Sequence, residues 1–145
     1  MLLEELRSQV VDCCKKIHEL NLTSGTSGNV SARDKDSGLI AITPSGISYT
    51  ELKKEQIVIV DETGEIVDGD KVPSSEISMH LVIYKLRPNV FSVIHTHSKY
   101  CTVLACLNKR IEPVHYVIAD LGTDFVPVVP YEVYGTKELA NLVAE

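Results

Sequence analysis

At 145 residues, 44% apolar and 23% charged, the chain has the length and balance of one globular domain with a real core. A net charge of −6 with scattered lysines and arginines offers no basic groove for nucleic acid. No apolar run is long enough to span a bilayer, and the opening MLLEELRSQVVD is no secretory signal, so the expected location is cytoplasmic.

Leu3, Leu6, Val10, Cys14, Ile17 and Leu20 recur at three- and four-residue steps, which predicts an amphipathic opening helix. His18 lies beside that stripe and reads as a boundary or surface residue. Cys13, Cys14, Cys101 and Cys106 form no CxxC pair, and adjacent cysteines rarely bridge, so all four read as reduced, partly buried thiols.

Residues 21–31, NLTSGTSGNVS, break the helix with two glycines among small hydroxyl residues. Such a loop can present backbone N–H groups to an anion, with Thr26 and Asn29 adding side-chain donors, or be a plain turn into a strand. It lacks both the GK[ST] of a Walker loop and a GxGxxG. Val30–Arg33 and Leu39–Thr43 read as two strands joined by the polar turn DKDSG. The turn Thr43-Pro44-Ser45-Gly46 follows, and Ser45 and Gly46 could reach the same anion or simply reverse the chain. Gln56–Val60 is an expected strand and Glu65–Val67 a short returning one, so antiparallel pairs dominate this part of the chain.

Ser74 or Ser75 can cap a helix that Pro88 stops. Ile77, His80, Leu81 and Tyr84 form its inward stripe. Glu76 falls in its first turn, where a carboxylate also complements the helix dipole. His80 in that setting reads as a core histidine bonded to the interior. Residues 91–98, FSVIHTHS, place His95 and His97 two apart in a β-branched run. Side chains two apart share a face of a strand, so both imidazoles can meet one divalent metal. Ser98 caps an expected helix over about Lys99–Leu107 that buries Cys101, Val103, Leu104 and Leu107. Cys101 and Cys106 match no common structural zinc pattern. Ile111–Ala119 and Phe125–Val129 read as extended pieces around Gly122. Thr136 caps a last helix that runs to Glu145 with no closing signal, the pattern of a single domain, 1–145, lacking its C-terminal part.

Four pieces stand in order: SGTSGNVS, TPSG, PSSE and HTHS. With the flanks IAITPSGISY, KVPSSEISMH, RPNVFSVIHTHS and PVHYVIA, they resemble the class II aldolase/adducin family typified by L-fuculose-phosphate aldolase. The resemblance covers the opening helix through Glu145. It implies an α/β fold, a three-layer sandwich whose mostly antiparallel central sheet is covered by helices. It implies a homotetramer with one zinc ion per subunit near the subunit interface. By position, His95 and His97 match the family's metal ligands. Glu76 matches its general base, which can also touch the metal. Tyr116 of a neighbouring subunit matches its tyrosine acid. Gly28, Asn29, Ser45, Gly46, Ser74 and Ser75 match the positions that hold the substrate's phosphate, and Tyr134 an aromatic position near the site.

The implied reaction is cleavage of a phosphorylated ketose, such as L-fuculose 1-phosphate, into dihydroxyacetone phosphate and a small aldehyde such as L-lactaldehyde. Glu76 favours this over the related L-ribulose-5-phosphate 4-epimerases, which carry an aspartate in PSSD. A dehydratase of the same superfamily and a non-catalytic binding domain of the adducin type are the other readings. The chain departs from the family at the third zinc histidine: His18, His80 and His115 do not match its place in the motif order.

Overall fold

A computed structural model describes residues 1–145. Helix α1 (Glu4–Glu19) leads into a five-stranded sheet made of β1 (Asn29–Arg33), β2 (Ile40–Ile42), β3 (Val58–Val60), β4 (Ile66–Asp68) and β5 (Ser92–His95). The spatial order is β4-β3-β2-β1-β5, and every neighbouring pair is antiparallel. Helix α2 (Ile77–Leu86) separates β4 from β5, and α3 (Lys99–Cys106) and α4 (Lys137–Ala144) follow. No helix is long and apolar enough to cross a membrane.

Strand alternation divides the apolar residues between two faces of the sheet. Val30, Ala41, Ile57 and Ile59 pack with Val10, Val11, Cys14 and Ile17 of α1. Ile40, Ile42, Val58 and Val60 turn to the opposite side and pack with Tyr84 of α2. Helix α1 is anchored by Arg7, which the apolar periodicity passed over. Its guanidinium is 1% exposed, donates to the carbonyls of Leu2 and Ile57, and pairs with Asp68 at 2.7 Å. A buried cation requires such partners.

Two local devices bring the site segments together. Backbone bonds from Ser45 N–H to the Val72 carbonyl and from Ser74 N–H to the Thr43 carbonyl, both 2.9 Å, flank a Pro44–Pro73 bridge. They lay the Thr43–Gly46 turn beside Pro73–Glu76. Antiparallel pairing of Asn29 with His95 does the same for β1 and β5. Beyond α2, Arg33 donates to the carbonyls of Tyr84, Pro88 and Val90, which fastens the chain after the helix stops.

The structure corrects several expectations. Leu20 lies past the end of α1 and is exposed. Lys54–Gln56 forms a 3₁₀ turn, so the third strand starts only at Val58. Residues 111–119 are not an extended piece: Tyr116–Leu121 coils into a 3₁₀ helix, and pairing with 125–129 is reduced to one Ile111–Val126 bridge. An extended segment needs a partner for its backbone groups, and no sheet strand lies alongside this one. Helix α3 forms as expected but buries nothing, and Cys101, Val103 and Leu107 are exposed. Among the cysteines, Cys14 is buried and Cys13 partly so, while Cys106 is exposed like Cys101; all four are free thiols.

Candidate metal centre and anion cleft

His95 closes β5, and His97 follows two residues later, past the end of the strand. Their rings nevertheless converge, edge to face at 4.9 Å between centroids, with the two Nε2 atoms 3.0 Å apart. Glu76, at the N-cap of α2 and not in its first turn, brings Oε2 to 3.4 Å from His95 Nε2. One ligand atom from each of the three residues lies within 4.8 Å of the others. Zinc takes imidazole and carboxylate donors at about 2.0–2.2 Å in a tetrahedron, which separates neighbouring donor atoms by about 3.3 Å. Two of the observed spacings, 3.0 and 3.4 Å, match that edge length, and the third, between Glu76 and His97, stays within 4.8 Å. The donor set therefore fits a divalent ion held by His95, His97 and Glu76. His18, His80, His115 and the cysteines take no part in the cluster.

Beside the cluster, a cleft of about 400 Å³ is lined by Gly28, Asn29, Ser45, Gly46, Ser74 and Ser75, together with Thr26, Glu76, His97 and Tyr134. All six positions singled out for an anion thus face one concavity. Gly28 is required where it stands. Its φ is +79°, and a Cβ there would lie 2.7 Å from the His95 carbonyl oxygen. Ser74 is buried and its hydroxyl accepts from the Glu76 N–H at 3.3 Å, while Ser75 and Ser45 are exposed. Gly135 packs its Cα against the Ser75 carbonyl, which seats Tyr134 at the cleft mouth. Tyr116 is elsewhere. It is 83% exposed, stacks on His115, and lines a separate open depression over residues 113–124.

The Asn29 side chain is engaged inward. Its amide nitrogen donates to Glu76 Oε2 at 2.7 Å, and its oxygen meets His80 Nε2 at 2.5 Å. His80 Nδ1 lies 2.6 Å from Ser31 Oγ, which lies 2.7 Å from the Tyr84 hydroxyl. Burial lowers the His80 pKa to about 4, helped by the nearby His95. Burial likewise pushes Tyr84 up to about 12, against the pull of Ser31 and Arg33. His95 is shifted down, first by burial; Glu76 opposes that shift and His97 adds to it. Reading for core stripes missed this polar network. The signal was present: Asn29 and Ser31 are two apart on a strand, and Glu76, His80 and Tyr84 are four apart along one helix face.

The sequence profile of the class II aldolase and adducin N-terminal domain family matches residues 8–145. A 5-deoxy-D-ribulose 1-phosphate aldolase of Bacillus thuringiensis is 42% identical over 145 residues, all of this chain and 68% of that protein. An L-fuculose phosphate aldolase of Haemophilus influenzae is 44% identical over 140 residues, 97% of this chain and 63% of the relative. A solved L-fuculose 1-phosphate aldolase structure superposes with a TM-score of 0.92 at 44% identity, over 97% of this chain and 66% of that one. The chain spans about two thirds of the length of the curated relatives it matches.

Proposed function

The chain belongs to the class II aldolase and adducin family, and on that premise we propose that it carries the metal and phosphate sites of a zinc-dependent aldolase acting on a ketose 1-phosphate. The products would be dihydroxyacetone phosphate and a small aldehyde. The observation that carries this reading is the convergence of Glu76, His95 and His97 at the rim of a cleft lined by glycines and small hydroxyl residues. The relatives support the substrate class, since those named above act on L-fuculose phosphate or 5-deoxy-D-ribulose 1-phosphate. L-Fuculose 1-phosphate and 5-deoxy-D-ribulose 1-phosphate are the substrates to try first.

Aldol cleavage involves no net oxidation. A hydroxyl gives up its proton, the adjacent C–C bond breaks toward a carbonyl, and the carbon left electron-rich collects a proton. A bound divalent ion supplies Lewis acidity at the carbonyl oxygen. Glu76 is the group that moves the proton at carbon, since its carboxylate lines the cleft and reaches the histidine pair. Backbone N–H groups near Gly28 and Gly46, with the hydroxyls of Ser45, Ser74 and Ser75, receive the phosphate. The start of α2 behind Ser75 adds positive potential there. No lysine or arginine lines this cleft, so hydroxyl and amide donors carry the recognition.

Tyr116 acts as acid in a neighbouring chain's cleft, within a homotetramer. This assignment is supported by its exposure and its absence from the lining of its own chain's cleft, amid exposed Val114, Val117 and Leu121. Sedimentation that finds only monomer at assay concentration refutes it. The central test is release of dihydroxyacetone phosphate from the two ketose 1-phosphates, with and without added zinc after chelation. Cleavage that depends on the ion is expected. No product with zinc present, or equal rates without it, refutes the reading; conversion to an epimer without cleavage favours the epimerase alternative.

A further inference from the structure

We propose that His80 is a positioning residue for Glu76, the last side-chain relay but one in a one-way hydrogen-bond chain that starts at Tyr84 and reserves one carboxylate oxygen as acceptor. The proposal rests on the reading of Glu76 as the proton-moving group. Its outer members, His80, Ser31 and Tyr84, do not line the cleft and act on it only through Asn29.

The direction of every bond follows from its two ends. Glu76 Oε2 accepts, so the Asn29 amide must present its nitrogen there and its oxygen to His80. An amide oxygen only accepts, so His80 Nε2 must carry a hydrogen. His80 is fully buried, and no carboxylate contacts it to stabilise a second proton. It is therefore neutral, and its Nδ1 is an acceptor. Ser31 must then donate to Nδ1, and Tyr84 must donate to Ser31. Tyr84 O–H, Ser31 O–H, His80 Nε2–H and Asn29 N–H all point the same way. Ser31, His80, Asn29 and Tyr84 are each at most 4% exposed, so water does not interrupt the line. Aligned bonds in a low-dielectric interior polarise one another.

The consequence lies at the carboxylate. Asn29 and His95 both face Oε2, while Oε1 takes part in no hydrogen bond within the chain. Oε1 is therefore the atom on which a transferred proton resides, and Asn29 fixes the plane in which it does so. Without the Nε2–H, the Asn29 amide loses the contact that sets its orientation, and a flipped amide would turn an oxygen toward the carboxylate.

Two measurements test this. Long-range ¹H–¹⁵N correlation of the histidines in the full chain should show His80 as the neutral Nε2–H tautomer; an Nδ1–H tautomer or an imidazolium at neutral pH overturns the proposal. In the cleavage assay, His80→Phe should lower kcat by about 10- to 100-fold with KM unchanged. His80→Gln, whose amide can again donate to Asn29, should recover most of that loss. Unchanged kcat in His80→Phe, or a folded His80→Gln no better than His80→Phe, overturns it. A wild-type protein that cleaves neither sugar phosphate refutes the aldolase reading, and the tautomer then decides the hydrogen-bond chain by itself.

Discussion

Replacing Gly28 with alanine would set a methyl carbon 2.7 Å from the His95 carbonyl oxygen and 3.3 Å from Thr23 Oγ1. The first contact is with backbone, which cannot swing aside, so either the 25–28 loop or the end of β5 must move. Gly28 also holds φ at +79°, where an L side chain costs about 1–2 kcal/mol. Forcing an extra carbon into a filled space costs about 1–3 kcal/mol more. The sum, about 2–5 kcal/mol, lowers the melting temperature by about 10 °C in a chain of this size. Gly25 supplies the control, because it too has positive φ, +60°, but a Cβ there meets nothing within 4 Å. Gly25→Ala shares the left-handed cost and the entropic effect on the unfolded chain, so the difference between the variants isolates the close approach. Scanning calorimetry should rank Gly28→Ala well below Gly25→Ala. Zinc titration should find weaker binding only in Gly28→Ala, since that clash falls on the residue bearing one imidazole. Equal melting temperatures and equal zinc affinities in the two variants would refute the reasoning.

Three further outcomes follow from the same geometry. His95→Ala removes the imidazole nearest both Glu76 and His97 and should abolish stoichiometric metal by elemental analysis; an unchanged metal content excludes it as a ligand. Glu76→Gln should lower turnover about 10²- to 10⁴-fold while inorganic phosphate still binds by calorimetry, and full activity would remove Glu76 from the proton path. Burial lowers the His80 pKa to about 4 from the 6.5 of an ordinary imidazole, so between those values the unfolded chain binds a proton that the folded chain refuses. Its contribution is complete above pH 6.5 and is lost as pH falls toward 4, on the order of 3 kcal/mol. Urea midpoints at pH 7 and pH 4.5 should therefore fall further in the wild type than in His80→Gln, and equal falls would contradict a neutral buried His80.

Local pattern located most elements. The apolar periodicity of α1, the hairpin between β1 and β2, the stretch of α2 before Pro88 and the threonine cap of α4 all depend on residues within a few positions of one another, although the N-cap of α2 is Glu76 and not the expected Ser74 or Ser75. The histidine pair is legible from its spacing of two only in part, since His97 lies past the end of β5 and strand alternation does not itself bring its ring to His95. Where the reading failed, the deciding partner was distant or missing from the sequence neighbourhood. Residues 111–119 hold the β-branched Ile111, Val114, Val117 and Ile118, but a strand exists only through its neighbour, and the sheet ends at β5 and β4. Helix α3 has an apolar stripe, yet whether a stripe is covered depends on what else packs there.

The sequence by itself determined the order of the elements and the residue types at the cleft: hydroxyl and glycine donors, two imidazoles and a carboxylate. Tertiary structure alone decided that Glu76 stands within reach of His95, and that Asn29 and His80, 47 and 51 residues from their partners along the chain, align behind it. Periodicity carries information over one or two turns or a strand's length. Contacts across a sheet and onto a helix are set by pairing register and packing, which no local window contains.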